Sequence, residues 1–450
     1  MDRLMLISAD CHFGLPMPEY KKYLPRHLHL DLDDWYRSGR TTTHLLTEAT
    51  KRFADFAALD KGRLNDEQAE LAERLIERFN ISLDEATDWV QHSTVRFGRQ
   101  VCDAAEHIKI MEADGVCAEV VIQQQDLPFW ADAAQNQDDL ILGIDIGWDK
   151  ATPQMMMEGA RAYHRAVVDF VSAAPERMIG LPTIPTLYDV DRAIEELTWA
   201  AQHGLKGVLL PATEPRLKLP PLFDPRYDRF WAACVDLEMP VHWHVGPCET
   251  TYGMSKYSGL VANYEIFWWG HRPLWHLMFG GVLKNYPKLQ LVFTELAAQW
   301  VPRALESMDA QYIERPHSYG AVLPAKPSEI WRTNCHLGAS CMSRAEAQLA
   351  SQIGVETMMF GTDFPHQEMT WPHSGAYLNK IMHGLPESDI RAICGENAAR
   401  LYGFDVAKLS QVADHIGHRM EDILSADGEF VKARDKYPWG LNGNRFSDVL

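Results

Sequence analysis

The sequence alternates short apolar runs with longer amphipathic segments, and this alternation limits the possible folds more than any other feature. Eight runs have the length and apolar composition of buried strands: residues 4–9, 118–122, 178–181, 207–210, 240–246, 289–295, 335–337 and 357–363. Helical patterns, for example over residues 155–173 and 190–202, separate them. Strands that alternate with helices form parallel sheets. The pattern therefore predicts an α/β fold, a closed (β/α)8 TIM barrel.

An open, doubly wound sheet shows the same alternation, but its usual nucleotide-binding signatures are missing from the sequence. No predicted strand is followed by a G-x-G-x-x-G or P-loop pattern. The 450 residues suit a barrel with insertions as well as they suit two domains. We assign residues 1–403 to the barrel, including a helical insertion over residues 13–100, and residues 404–450 to a C-terminal extension.

Composition narrows the classes of partner. The formal net charge of -19 disfavours nucleic acid and anionic membranes, which attract basic surfaces, and leaves a small molecule as the expected partner. The 8 cysteines include no C-x-x-C pair, so neither a disulfide framework nor a zinc ribbon is expected. No apolar run reaches transmembrane length and the first residues lack the pattern of a signal peptide, so we expect a cytoplasmic protein without membrane contact.

Side chains that commonly bind metals lie at the ends of four predicted strands. They are Asp10 and His12 after the first strand, His242 and His244 on the fifth, Glu295 on the sixth and Asp363 on the eighth. In a parallel barrel the carboxyl ends of all strands meet at one face, where barrel enzymes carry out catalysis. We therefore expect these side chains to lie together.

Each of these residues also has a simpler explanation when it is taken alone. Asp10 and Asp363 could be turn carboxylates, and Glu295 could cap the helix that follows it. His12 could be an exposed histidine, and one histidine of the fifth strand could belong to the core. Their coincidence at four strand ends favours a divalent metal site, and a mixture of nitrogen and oxygen donors suits Zn, Mn or Fe.

Four segments carry a resemblance to a known family. They are Asp10-Cys11-His12, the Pro-Val-x-x-His pattern of residues 240–244, residues 286–295, and Phe360-Gly361-Thr362-Asp363-Phe364-Pro365-His366. Together they resemble the amidohydrolase superfamily, and most closely its branch that contains aminocarboxymuconate-semialdehyde decarboxylase and the γ-resorcylate decarboxylases. The resemblance runs from the first strand to about Gly403. It implies a metal-binding (β/α)8 barrel in which Asp10, His12, His244 and Asp363 occupy the metal positions.

The sequence departs from this family pattern at two positions. Position 10 is aspartate where many members carry histidine or glutamate, which keeps a ligand. Position 295 is glutamate where the decarboxylases carry a catalytic histidine, so their mechanism does not transfer unchanged. The fourth predicted strand lacks the lysine that bridges two metal ions in binuclear members. One or two ions per chain are therefore expected, and a second ion would need Glu295 as a bridge.

The expected ligands predict a metal-dependent hydrolase, in which an activated water attacks an ester, thioester or amide carbonyl and Asp363 accepts its proton. The alternative is a metal-dependent, non-oxidative decarboxylase of an aromatic or unsaturated carboxylate, which the family branch favours and Glu295 disfavours. A third possibility is a binding scaffold that has lost its metal, against which the intact ligand set argues. His242 could be a ligand, a substrate contact or a support for a ligand.

Three further residues are candidates for contacting the substrate. His366 lies just beyond Asp363, although it could equally be an ordinary loop histidine. Trp130 and Trp268 belong to aromatic stretches after the second and fifth strands, where they could line a pocket for a bulky apolar or aromatic molecule. Such aromatic residues more often form core or a subunit interface. We also expect a homo-oligomer, a dimer.

Overall fold

Parallel strands form the centre of the molecule in the computed structural model, which describes residues 2–37, 101–124, 127–130, 152–185, 187, 189–211, 220–245, 258–366 and 369–426. The strands are β1 (Leu6–Phe13), β2 (Val116–Gln123), β3 (Met178–Gly180), β4 (Val208–Leu209), β5 (Val241–His244), β6 (Leu291–Thr294), β7 (Cys335–Ser340) and β8 (Met358–Gly361). Almost all of their residues are buried, as expected of parallel strands that helices cover.

Backbone pairing joins these strands in chain order into a closed ring. Hydrogen bonds define one parallel sheet of β1 to β3 and a second of β4 to β8. Two parallel bridges connect the sheets. In one Thr183 pairs with Leu209, and in the other Cys11 pairs with Phe364. The closed (β/α)8 barrel predicted from the sequence is therefore confirmed.

Helices alternate with the strands and cover the outside of the barrel. The α-helices are His29–Arg37, Ala104–Ala113, Pro153–Val171, Val190–Gln202, Asp228–Asp236, Ser258–Phe279, Val282–Asn285, Trp300–Glu314, Pro316–Val322, Pro327–Asn334, Arg344–Ala347, Ala350–Ile353, Ser374–Met382, Glu387–Arg391, Asn397–Tyr402, Val406–Ile416 and Met420–Leu424. Short 3-10 turns cover Met17–Lys22, Arg26–Leu28, Pro128–Trp130, Pro225–Tyr227 and Val355–Thr357, and Ala392–Glu396 is a π-helical turn.

Several strand boundaries differ from those expected, and the differences matter for the site. β1 continues to Phe13, so Asp10 and His12 lie inside the strand rather than after it. β7 was expected over residues 335–337 and continues to Ser340. β6 and β8 end before Glu295 and Asp363, which lie in the turns that follow these strands.

Inward-facing side chains fill the barrel. In β1, an irregularity in the alternation of side chains directs the site residues inward. Ile7 and Ala9 belong to the interior cluster, together with residues such as Ile122 and Val292. Strict alternation would then direct Asp10 outward. The β1–β2 register shifts between Ser8 and Cys11, as in a β-bulge. After this shift Asp10 and His12 face the site, whereas Cys11 belongs to the outer cluster beneath the helices.

The first part of the C-terminal extension packs against the barrel. Leu409 and Ala413 of helix Val406–Ile416 belong to the same cluster as the barrel interior. The N–H of Leu4 donates to the carbonyl of His418 at 2.8 Å, which ties the extension to the start of β1. Most of the helical insertion predicted over residues 13–100 lies outside the described residues. Among the described helices, none is both long and apolar enough to span a bilayer.

Candidate metal centre

The first and last strands bring Asp10, His12 and Asp363 together. The N–H of Asp363 donates to the carbonyl of Asp10 at 3.0 Å, and the N–H of His12 donates to the carbonyl of Phe364 at 2.8 Å. These backbone bonds extend the pairing that closes the barrel between β8 and β1. Asp10 and Asp363 have no exposed surface, and His12 is 2% exposed. Barrel closure itself therefore positions three of the six candidate groups.

The imidazole of His12 is held from one side and faces carboxylates on the other. Its Nδ1 donates to the backbone carbonyl of Gln123 at 2.9 Å. Its Nε2 lies 3.0 Å from Oδ1 of Asp363 and 3.4 Å from Oδ1 of Asp10. An imidazole that gives its Nδ1 proton to a carbonyl in this way presents the Nε2 lone pair as a ligand.

His244, at the end of β5, has the same arrangement. Its Nδ1 donates to the carbonyl of Val245 at 2.6 Å. Its Nε2 lies 3.5 Å from Oδ1 of Asp10 and 3.3 Å from Oε2 of Glu295. The rings of His12 and His244 meet edge to face, with their centroids 5.3 Å apart. Two strands on different sides of the barrel thus direct equivalent nitrogen atoms at one carboxylate.

His366 joins the group from the turn after β8. Its Nδ1 lies 2.7 Å from Oδ1 of Asp363, and its Nε2 lies 3.1 Å from Oε1 of Gln124. The ring stacks on that of His12 with a centroid separation of 4.0 Å. The structure therefore places His366 at the site rather than in a remote loop.

Glu295 and Asp363 both adopt left-handed backbone conformations. Their φ angles are 54° and 56°, which are uncommon for residues other than glycine and often occur at functional sites. The helix after β6 begins at Trp300 and has Gln299 at its N-cap, so Glu295 is not its capping residue. The side chain of Glu295 instead faces His244, as described above.

The electrostatics of the group favour positive charge. Burial alone would lower the pKa of His244, but the carboxylates of Asp10 and Glu295 raise it to about 9. Burial alone would raise the pKa of Asp10, yet the charges of His244 and His12 and the hydrogen bond from Ser340 lower it overall. Without a metal, a proton on His244 balances part of the negative charge of these carboxylates. A divalent cation would balance more of it.

The donor atoms fit a divalent metal ion. Ligand atoms lie within 4.8 Å of one another in three overlapping groups: Asp10, His12 and His244; His12, Asp363 and His366; and Asp10, Glu295 and Asp363. Two of these atoms, Oδ1 of Asp10 and Nε2 of His244, are buried without a hydrogen bond of good geometry. Nitrogen atoms here face carboxylate oxygens, and a divalent cation between them would bind both kinds of donor.

His242 faces inward like His244 but lies deeper in the barrel. It pairs with Val292 of β6, which belongs to the interior cluster, and its Nε2 lies 3.3 Å from the hydroxyl of Tyr402. Burial and the charges of His336 and His244 lower its pKa to about 3. Among the described residues it belongs to none of the three donor groups. Its geometry is that of a neutral core histidine beneath the site.

Of the two tryptophan candidates, Trp268 has a described side chain, and no described contact joins it to the donor groups. Trp268 lies on helix Ser258–Phe279, is 50% exposed and contacts Trp269 and the guanidinium of Arg272. Trp130 ends the short turn Pro128–Trp130, but its side chain lies outside the described residues. Contact of either residue with substrate stays a prediction, as does a homodimer interface.

Sequence reasoning missed two polar residues that hold the site residues in place. Ser340 at the end of β7 donates to Oδ2 of Asp10 at 2.5 Å. Gln124 continues the inward row of β2 after Ala118, Val120 and Ile122, and it contacts His366. Only the position of these residues at strand ends could have drawn attention to them, because serine and glutamine carry no metal-binding signature.

The fold and the donor groups together define an enzyme class, barrel enzymes that use a divalent metal ion. The amidohydrolase family model matches residues 135–404, more than half of the chain. The chain therefore belongs to the amidohydrolase family. This confirms the superfamily that the sequence motifs indicated.

Solved structures with this fold include several decarboxylases. An amidohydrolase from Mycobacterium avium subsp. paratuberculosis K-10 has a TM-score of 0.59 and 17% identity, over 90% of this chain and 100% of that chain. For 5-carboxyvanillate decarboxylase from Sphingomonas paucimobilis the TM-score is 0.58 and the identity is 16%, over 89% of this chain and 100% of that chain. For dihydroxybenzoic acid decarboxylase from Polaromonas sp. JS666, which has bound manganese and the inhibitor 2-nitroresorcinol, the values are 0.54 and 16%, over 90% and 98%.

Proposed function

We propose that this protein is a metal-dependent, non-oxidative decarboxylase of an aromatic or unsaturated carboxylate. The observation that carries the proposal is the placement of Asp363, a fully buried carboxylate whose Oδ1 contacts both His12 and His366 beside the donor groups. Two of the three similar structures described above are decarboxylases of aromatic acids, which favours this reaction over the hydrolysis expected from the sequence.

In the proposed site Asp10, His12, His244 and Asp363 hold the metal ion. Manganese is the preferred choice among Mn, Zn and Fe, since the Polaromonas enzyme has it bound. When bound, the ion would supply a Lewis acid for the anionic oxygens of the substrate and would withdraw electron density from the reacting carbon. The protein supplies the rigid donor arrangement and a region from which bulk water is excluded.

Decarboxylation replaces a carbon–carbon bond with a carbon–hydrogen bond. The bond to the carboxylate breaks, carbon dioxide leaves, and the electron pair that remains on the substrate carbon takes a proton. Asp363 is the group that delivers this proton. His366, whose Nδ1 lies 2.7 Å from Oδ1 of Asp363, returns a proton to it for the next cycle.

Glu295 keeps hydrolysis as a second candidate. Its Oε2 lies 3.3 Å from Nε2 of His244, which adds a third carboxylate where the decarboxylase branch has histidine. A carboxylate at this place could remove a proton from an attacking water. Glu295 could also act as a further ligand, because it shares a donor group with Asp10 and Asp363.

Isotope labelling separates the two reactions. The manganese-loaded protein would be incubated with 2,6-dihydroxybenzoate, 5-carboxyvanillate and a panel of aromatic esters, thioesters and amides, in D2O and in H2(18)O. We expect carbon dioxide release from a carboxylate and one deuterium at the carbon that lost it. Incorporation of 18O into a product acid, without carbon dioxide release from any carboxylate, would establish hydrolysis instead.

A further inference from the structure

Ser340 is the last residue of β7, and its hydroxyl donates to Oδ2 of Asp10 at 2.5 Å. The other oxygen of the same carboxylate, Oδ1, is buried without a hydrogen bond of good geometry. That oxygen lies 3.4 Å from Nε2 of His12 and 3.5 Å from Nε2 of His244. The two oxygens of Asp10 therefore have different environments.

We infer that Ser340 is a positioning residue for the metal ligand Asp10: it occupies one carboxylate oxygen and thereby presents the other to the cation. The inference rests on the proposed metal-dependent function. It goes beyond that function because it assigns the orientation of the ligand to a residue of a different strand, which contacts Oδ2 while both imidazoles face Oδ1.

The serine is itself firmly held. Ser340 pairs in register with Gly361 of β8, and the N–H of Cys341 donates to the carbonyl of Gly361 at 3.2 Å. The hydroxyl of Tyr377 donates to the carbonyl of Cys341 at 2.8 Å. These contacts fix the backbone from which the Ser340 side chain extends, and the hydrogen bond to Asp10 sets the direction of its hydroxyl.

Close packing reinforces the hydrogen bond. A Cβ atom placed on Gly361 would lie 2.7 Å from Cβ of Asp10 and 2.8 Å from Oγ of Ser340. The absence of a side chain at position 361 therefore leaves room for the serine and the aspartate to meet. A carboxylate without this hydrogen bond could rotate about its last torsion angle and exchange the two oxygens.

The test is the affinity of the metal-free protein for Mn²⁺, measured by calorimetry together with the electron paramagnetic resonance spectrum of the bound ion. Ser340→Ala should weaken binding by about 10- to 100-fold, the usual effect of losing a hydrogen bond to a metal ligand. Its spectrum should differ from that of the wild type. Ser340→Thr keeps the hydroxyl and should restore most of the affinity.

Ser328→Ala provides the matched control, because the hydroxyl of Ser328 also donates to a carboxylate, Oδ2 of Asp309 at 2.6 Å, but on the helical exterior. This variant should bind Mn²⁺ like the wild type. Unchanged affinity and spectrum in Ser340→Ala, beside a wild type that binds Mn²⁺, would overturn the inference and leave the proposed function intact. A threonine variant as weak as the alanine variant would also overturn it. A wild type that binds no divalent metal would overturn both.

Discussion

At the scale of single residues, the proposed role of Asp363 can be tested most directly. Its carboxylate contacts two imidazoles and is fully buried, and we assign it the proton that the reaction consumes. Asp363→Asn keeps the shape of the side chain but cannot carry a proton between imidazole and substrate. We expect turnover to fall by at least about 100-fold, the lower range for losing an acid–base group.

The measurement is kcat with the substrate found by the labelling experiment, accompanied by thermal unfolding to show that the variant is folded. Asp189→Asn serves as a control, because Asp189 caps helix Val190–Gln202 at the surface. Full activity of Asp363→Asn would exclude its role as the proton carrier.

The assignment of ligands is tested by removing both imidazoles that face Asp10. The double variant His12→Ala and His244→Ala removes two nitrogen donors from one donor group and leaves Oδ1 of Asp10 without the two imidazoles that face it. We expect purified protein to contain less than about a tenth of the wild-type metal, since each ligand lost costs orders of magnitude in affinity. Elemental analysis after dialysis measures this, and an unchanged metal content would disprove the assignment.

The sequence predicted which residues meet at the site better than how deep each one lies. His242 and His244 were expected on the same side of one strand, and both do face inward. A strand rises by about 3.3 Å per residue, so positions two apart differ by about 6.6 Å in depth. That step separates a core histidine bonded to Tyr402 from a residue that contacts Asp10. Spacing alone cannot show where the core ends and the site begins.

At the scale of elements, β8 contributes a position that tolerates no side chain. A Cβ on Gly361 would approach both Asp10 and Ser340 to less than 3 Å. Gly361→Ala should therefore destabilise the metal-free protein by about 1–3 kcal/mol, the usual cost of overpacking, and should weaken Mn²⁺ binding as well. Urea unfolding and calorimetry measure the two effects.

Gly320→Ala is the matched control for this substitution. Gly320 lies in helix Pro316–Val322, and a Cβ there would meet nothing within 4 Å. Alanine at this position should stabilise the protein by about 0.5–1 kcal/mol, because it restricts the unfolded chain and favours the helix. A Gly361→Ala variant as stable as Gly320→Ala would show that the barrel relaxes around the added methyl group.

Apolar runs predicted the existence of the strands, but the polar residues that continue them carried no such signal. β1 was predicted to end at residue 9, because Asp10, Cys11 and His12 interrupt its apolar run, yet pairing with β2 carries it on to Phe13. β7 was likewise predicted to be short, although Ser340 still pairs with Gly361. Pairing partners from distant parts of the chain determine these ends, and a single sequence does not specify them.

At the scale of the whole molecule, barrel closure was predictable from the number and order of the strands. The inward direction of Asp10 and His12 was harder to predict. It depends on the shift in the β1–β2 register between Ser8 and Cys11. The sequence predicted a C-terminal extension over residues 404–450, outside the barrel. In the structure, Leu409 and Ala413 of this extension belong to the same apolar cluster as the barrel interior.

Buried histidines held in the neutral state contribute to the pH dependence of stability. Burial lowers the pKa of His271 to about 4, and burial together with the charge of Arg400 lowers that of His336 to about 4. The unfolded chain has histidine pKa values near 6.5. As the pH falls below that value, these histidines become protonated in the unfolded state but stay neutral in the folded state. The stability that these two histidines contribute is therefore fully present above about pH 6.5 and is lost as the pH falls toward 4.

The variant His271→Gln tests the contribution of one of these histidines to the pH dependence of stability. The Nε2 of His271 donates to the carbonyl of Leu296 at 2.9 Å, and a glutamine amide can replace this donor without titrating. The free energy of unfolding of the metal-free wild type should fall between pH 7 and pH 5 by about 2 kcal/mol more than that of the variant, at 1.36 kcal/mol per pH unit below the unfolded pKa. Urea unfolding at both pH values measures this difference. Because the other titrating groups are common to the two proteins, equal losses would mean that His271 becomes protonated within the folded barrel.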